Sequence, residues 1–151
     1  MRILKIRTDF VTNSSSSSFI LSFKSEETIY EELKNNDALP TALLDRVYKD
    51  MQTHLIPKEE AVATIKEGIR DHVEYKYWYR YNYHYKDLQS DTIQAKINDE
   101  VEQIYADCYE KLVESGAKVF VDIEYGDDVD GDLEHDIMPY LDNTIIRISN
   151  H

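Results

Sequence analysis

Cysteine and glycine are scarce in this sequence, and each scarcity excludes a class of structure or chemistry. Cys108 is the only cysteine among the 151 residues, so no disulfide can form within the chain, as is usual in a reducing compartment. The chain has four glycines, and none stands in the glycine-rich loop that holds nucleotide phosphates or a dinucleotide. The sequence also lacks the cysteine and histidine spacing of a zinc site.

Long apolar segments are missing too. No run approaches the ~18 apolar residues that predict a membrane span. The N-terminal segment carries Arg2, Lys5, Arg7 and Asp9, and it lacks the continuous apolar stretch of a secretion signal. We therefore expect a cytoplasmic protein that makes no membrane contact.

Basic residues are few relative to acidic ones. The chain has 17 Lys and Arg against 30 Asp and Glu, which gives a formal net charge of −13. Such a charge repels nucleic acid and anionic lipid headgroups, and it favours basic protein surfaces or cations. We expect a partner with a basic protein surface and no direct nucleic-acid binding, while the oligomeric state stays open.

The length suits a single domain, residues 1–151, with a substantial core. Apolar runs rich in strand-forming residues predict strands over 3–11, 19–23, 117–125 and 144–149. Apolar residues spaced by three and four predict a short helix after Ser25 and longer helices over 44–55, 62–73 and 93–112. This order predicts an α+β fold, in which N- and C-terminal β-hairpins share a small sheet packed with about four central helices.

The helix over 93–112 has the strongest pattern. Asp91 is predicted to cap it, with Gln94 in the capping-box position, and Gly116 is predicted to end it. Cys108 lies on its apolar face, where we expect a small buried hydrophobic residue and not a nucleophile.

The segment Tyr75–Tyr85 (YKYWYRYNYHY) has tyrosine at every odd position. An extended segment would place these rings on one face, whereas a continued helix would spread them around its axis, and the sequence leaves both open. The rings could pack on the core, bind a protein, or stack on nucleic acid or a small ligand. Among the functional interpretations we favour a protein interface, because Tyr, Trp and Arg are enriched at binding hot spots. The predicted partner-binding residues are Tyr75, Tyr77, Trp78, Tyr79, Arg80, Tyr81, Tyr83 and Tyr85.

The acidic segment Gly126–Asp136 (GDDVDGDLEHD) partly copies a calcium loop. Its aspartates match the first ligand positions, but the glycine and the final glutamate of an EF-hand are missing, so an EF-hand is excluded. A solvated loop that docks on a basic surface is one interpretation. The other is a looser divalent-cation site formed by Asp128, Asp130, Asp132 and His135, and we predict no other cofactor.

A serine run, Asn13–Ser18, separates the first two apolar runs. Asn and Ser favour turns, so a hairpin connector is the simplest interpretation. An anion site is less favoured, because phosphate loops depend on glycine and the run has none. The third interpretation is a modification or recognition site formed by Ser14, Ser15, Ser16, Ser17 and Ser18.

The stretch from Lys5 to Phe19 (KIRTDFVTNSSSSSF) resembles the N-terminus of a scattered group of uncharacterised bacterial and phage-associated proteins. Their shared pattern is K-I-R-x-D-F-V-T-N-S-S-S-S-S-F, which covers a small part of this chain. The resemblance implies an N-terminal signature attached to varied bodies, and it implies no activity.

Nothing in the sequence assembles a catalytic site. Spacing along the chain does not bring any histidine near a serine, and pairing two of the abundant carboxylates would be arbitrary. The leading hypothesis is a small acidic, non-enzymatic protein-interaction or inhibitor protein that binds a basic partner surface, with DNA mimicry as one form. The alternatives are a metal- or small-ligand-binding protein that uses the 126–136 loop, and a substrate for serine modification at 14–18.

Overall fold

The computed structural model describes residues 1–7, 17–36, 39–80, 82–114, 116–125 and 145–147, and these form an α+β fold. The strands are β1 (Arg2–Arg7), β2 (Ser17–Phe23), β3 (Leu55–Ile56), β4 (Val119–Tyr125) and β5 (Ile145–Arg147). The helices are α1 (Ile29–Lys34), α2 (Thr41–Thr53), α3 (Lys58–Tyr75), α4 (Tyr85–Leu88) and α5 (Asp91–Val113). A π-helical turn, Lys76–Arg80, continues α3.

The described strands form one sheet in the order β3-β4-β2-β1-β5. The predicted N-terminal hairpin and shared sheet are confirmed, since β1 pairs antiparallel with β2, and β2 pairs antiparallel with β4. The C-terminal strands differ from the prediction, because they do not pair with each other: β4 pairs with β2, while β5 lies at the opposite edge, parallel to β1. The central hairpin has two free edges, and the long sequence between β4 and β5 allows the two strands to take one edge each.

Helices cover both faces of this sheet. Alternate strand residues point to opposite faces, so neighbouring side chains enter different cores. The core against α1 and α2 contains Ile3, Phe19, Leu21, Phe23, Val121 and Ile123 from the sheet. The core against α3, α4 and α5 contains Leu4, Ile20 and Phe120. The strand β4 was expected to be half-buried, but its centre is buried on both faces because each face has a helical layer.

One buried hydroxyl links the sheet to α5. Among the residues whose burial is described, Ser22 is the one polar residue that is buried. Its Oγ donates a hydrogen bond of 2.6 Å to the carbonyl of Leu112. A buried hydroxyl without a partner would cost free energy, so this bond explains how serine is tolerated there.

Several helix boundaries differ from the sequence-based expectation. Thr28, and not Ser25, precedes α1, because the residues from Ser25 to Thr28 form a turn. Ser90, and not Asp91, caps α5, and its hydroxyl accepts a hydrogen bond from the backbone N–H of Ile93. Leu55 belongs to β3 instead of the preceding helix.

Two other predictions on α5 are confirmed. Cys108 is buried, and burial with the nearby Asp107 carboxylate raises the pKa of its thiol, so it is not a reactive thiolate. Gly116 has a φ of 77°, the left-handed conformation that commonly follows a helix end. None of the helices among the described residues has the length and apolar character needed to cross a membrane.

Candidate functional site

The tyrosine-rich segment is helical in its first half and irregular in its second. It begins at the end of α3 and continues through the π-helical turn 76–80. Asn82 then has a φ of 57°, and the backbone N–H of Tyr83 bonds the carbonyl of Tyr77 at 3.2 Å. The one-sided tyrosine stripe of an extended segment does not form.

The described rings separate into an inward and an outward set. Tyr77 and Tyr83 pack against the α3–α5 core, with their ring centroids 5.7 Å apart. Trp78 and Tyr79 face outward and are 46% and 72% exposed, and they are the exposed large hydrophobic residues in the described part of the chain. The core interpretation therefore holds for Tyr77 and Tyr83, whereas partner binding by the exposed rings stays a prediction.

The outward rings are ordered by stacking. Tyr79 stacks on Tyr75 with a centroid distance of 5.5 Å and an interplanar angle of 6°. Trp78 meets Tyr75 edge to face at 6.1 Å. We call Tyr75, Trp78 and Tyr79 the aromatic platform. Its position on a π-helical turn is informative, since such turns occur frequently at functional sites.

The other predicted partner-binding residues are less fully placed. The structure describes the backbone of Arg80 and Tyr85 but not their side chains, and Tyr81 lies outside the described residues. Their roles stay predictions.

An ion pair links the π-helical turn to α5. Lys76 Nζ lies 2.5 Å from Glu100 Oε1, and the two side chains are only 13% and 31% exposed. Oε2 of Glu100 is buried and has no hydrogen-bond partner among the described residues. One turn earlier, burial and the positive charge of Lys76 hold the pKa of His72 below its ordinary value, although Glu100 opposes this. Sequence reasoning missed this cluster, and only the four-residue spacing of His72 and Lys76 could have suggested it.

The basic side chains of α3 are engaged within the molecule. Lys58 lies 5.9 Å from the ring centroid of Tyr109. Lys66 lies 4.6 Å from the ring centroid of Tyr105 and also pairs with Glu102 at 3.3 Å. Arg70 bonds Asn98 and lies 3.8 Å from Glu74. These contacts show that α3 and α5 run antiparallel, and they occupy the cations of α3.

Many carboxylates on the same layer are not engaged in this way. The exposed acidic residues of α3 and α5 that have no ion pair with another described residue are Glu59, Glu60, Glu67, Asp91, Asp99 and Glu110. We call these six residues the acidic face. The exposed Lys96 of α5 also has no ion pair with another described residue, but α3 and α5 together contain eleven Asp and Glu against five Lys and Arg, so this layer carries a negative potential.

Most residues of the other predicted sites lie outside the part of the chain that the structure describes. Asp128, Asp130, Asp132 and His135 lie outside the described residues, as do Ser14, Ser15 and Ser16. Within the described part of the chain, no group of three or more His, Cys, Asp and Glu could hold a metal ion. The cation site and the serine-modification site stay predictions.

Ser17 and Ser18 require a correction. They were expected to belong to the serine connector, but they begin β2, where they pair with Arg7 and Ile6 of β1 and with Tyr125 and Glu124 of β4. Because a strand flanked on both sides uses its backbone N–H groups in the sheet, these two residues are poorly suited to an anion-binding nest.

These features define an α+β protein with an exposed aromatic platform beside an acidic helical layer. Comparison with protein-family models, with curated proteins and with solved structures finds no match to this chain. The functional argument therefore depends on the site itself.

Proposed function

We propose that this chain is a non-enzymatic interaction protein that binds a basic protein surface through the acidic face and the aromatic platform. One observation carries the proposal: the cations of α3 are engaged within the molecule, whereas the carboxylates of the acidic face are not. A surface with this imbalance attracts a cationic partner and orients it during encounter.

The aromatic platform supplies binding affinity that exposed charge alone does not. Exposed carboxylates in water contribute mainly to association rate and little to affinity. Aromatic rings that lose their remaining exposure on binding contribute more, and Trp and Tyr dominate interface hot spots. Trp78 and Tyr79 have that exposure, and the stack on Tyr75 limits the entropy that they would lose.

DNA mimicry is the specific form of this function that we propose. A partner with a cleft for nucleic acid presents the cationic surface that the acidic face would fit, and the net charge of −13 has the sign of a nucleic acid. Duplex DNA should then compete with the chain for its partner.

The experiment compares two variants that remove equal charge from opposite layers. The first is Glu59→Gln, Glu67→Gln, Asp99→Asn and Glu110→Gln on the acidic face. The control is Glu26→Gln, Glu27→Gln, Glu31→Gln and Asp45→Asn around α1 and α2, where these side chains are also exposed.

The measurement is capture of host proteins by each variant and by the unmodified chain, at low and at high salt. We expect basic proteins to be captured by the unmodified chain and the control variant, and to be lost from the acidic-face variant and at high salt. Capture that is equal for both variants, or that is indifferent to salt, contradicts the proposal.

A further inference from the structure

We propose that the outer face of Tyr79 binds an arginine side chain of the partner, an inference that rests on the proposed function and specifies its recognition chemistry. Tyr79 is 72% exposed although Tyr75 stacks on it within 6° of parallel. Since one face of the ring is covered by Tyr75, the exposure belongs largely to the other face. That face is a flat π-surface, held in a fixed orientation and open to a ligand.

The ligand that fits this surface is a planar cation. The face of an aromatic ring attracts positive charge, and a guanidinium also stacks flat on it, which an ammonium cannot do. Guanidinium is also less strongly hydrated than ammonium, so it leaves water more readily. Both properties favour arginine over lysine at Tyr79.

The chain itself shows how cations are held on this layer. Lys66 lies 4.6 Å from the centroid of the Tyr105 ring and 3.3 Å from a Glu102 oxygen. A tyrosine face and a carboxylate together therefore hold one of the chain's own cations on this layer. The nearest lysine in sequence is not available to fill the platform in the same way, because Lys76 pairs with Glu100.

Charge excludes the competing occupants of the platform. A second copy of this chain would bring another net charge of −13, and a nucleic-acid base would bring its phosphates, so both are repelled. A neutral apolar segment would not be attracted by the net charge of −13. An arginine-bearing segment uses both the ring and the charge.

Trp78 provides the readout. It is the only tryptophan of the chain, and it touches the same Tyr75 ring, so intrinsic fluorescence reports on the platform directly.

The unmodified chain is titrated with two peptides of equal length and charge, one of alternating arginine and glycine, the other of alternating lysine and glycine. The same titrations are made with Tyr79→Leu, and with Tyr48→Leu as the control. Tyr48 is a tyrosine that contacts Tyr30 edge to face and packs on the other core.

We expect the arginine peptide to bind about fivefold more tightly than the lysine peptide, a difference within the range of one cation–π contact. Tyr79→Leu should reduce this preference to about twofold or less, and it should weaken arginine-peptide binding more than lysine-peptide binding. Tyr48→Leu should keep the full preference.

Two results separate the inference from the function on which it rests. Equal binding of the two peptides, or a preference that survives Tyr79→Leu, overturns the arginine site and leaves a basic partner in place. Failure of both peptides to bind, even at low salt, overturns the proposed function as well.

Discussion

Asn82 ends the π-helical turn by adopting a backbone conformation that most residues avoid. Among the described non-glycine residues, Asn82 alone has a positive φ, which is 57°. Asparagine tolerates this left-handed region better than other side chains, and β-branched residues tolerate it least. Asn82 therefore sets the direction of the backbone that follows the π-helical turn.

Substitution at this position should follow backbone preference. Asn82→Gly should leave the free energy of unfolding unchanged or slightly higher, whereas Asn82→Val should lower it by about 1 kcal/mol. Urea denaturation of the two variants measures the difference. Equal stabilities would show that φ at residue 82 is not what holds the turn.

His72 makes stability depend on pH. Its pKa is lowered in the folded chain, by burial first and by Lys76 second, so the unfolded chain binds the proton more readily. Stability from this group is complete above the unfolded pKa of about 6.5, and it is lost as the pH falls through the lower folded pKa. His72→Gln should therefore lose less stability than the unmodified chain between about pH 7.5 and about pH 5.5.

Thermal denaturation at both pH values measures this. The exposed Gln103 provides the control, because Gln103→Ala removes no titratable group and should keep the pH dependence of the unmodified chain. An unchanged dependence in His72→Gln would assign the acid sensitivity to other groups.

Residue-level predictions succeeded where one local rule decides the outcome. Burial of Cys108 follows from its place on an apolar helix stripe, and the left-handed Gly116 follows from the preference for glycine after a helix. The Lys76–Glu100 pair follows no such rule, because the packing of α3 on α5 creates it. The split of the tyrosines into inward and outward rings has the same origin.

At the scale of elements, the start of α5 depends on one hydroxyl. Ser90→Ala removes the acceptor for the Ile93 N–H and should lower the free energy of unfolding by about 1 kcal/mol. Asp91→Ala should cost only a few tenths of a kcal/mol, through the helix dipole alone. Chemical denaturation of both variants tests the assignment, and a reversed order would restore Asp91 as the cap.

The π-helical turn and α5 should be energetically coupled through Lys76 and Glu100. Lys76→Met leaves the poorly exposed Glu100 carboxylate without its cation, so this substitution should lower the free energy of unfolding by about 2 kcal/mol. Adding Glu100→Gln should recover part of this loss, with a coupling energy of about 1 kcal/mol in the double-mutant cycle.

The exposed Asp107–Lys111 pair is the control for that cycle. Its atoms are 3.0 Å apart, yet its side chains are 60% and 53% exposed, so its coupling should stay below about 0.5 kcal/mol. Equal coupling in the two cycles would mean that burial does not strengthen the first pair.

Element-level prediction from sequence was accurate where hydrophobic periodicity is long. The helices α2, α3 and α5 and the strand β4 were predicted close to their observed positions, since their apolar spacing extends over many residues. The two-residue strand β3 and the π-helical turn are too short to show a hydrophobic period in the sequence. The placement of β5 beside β1 depends on the tertiary fold, which no local pattern encodes.

At the scale of the whole molecule, net charge opposes compactness. A charge of −13 repels itself in the folded state, and the repulsion weakens as salt shortens the screening length. The free energy of unfolding should rise between about 20 mM and about 500 mM sodium chloride. The acidic-face variant, with four fewer charges, should show a smaller rise. A stability that falls with salt would mean that attractive ion pairs outweigh the repulsion.

The parallel pairing of β1 with β5 has a consequence for how the sheet is completed. Ile3 pairs with Ile145, so one side of β1 stays an open edge until residues 145–147 have been synthesised. An unpaired strand edge is a template for pairing with another chain. A nascent or shortened chain without residues 145–147 would therefore leave β1 as an unpaired edge strand that is prone to aggregation, and protection during biosynthesis depends on the three-residue strand β5.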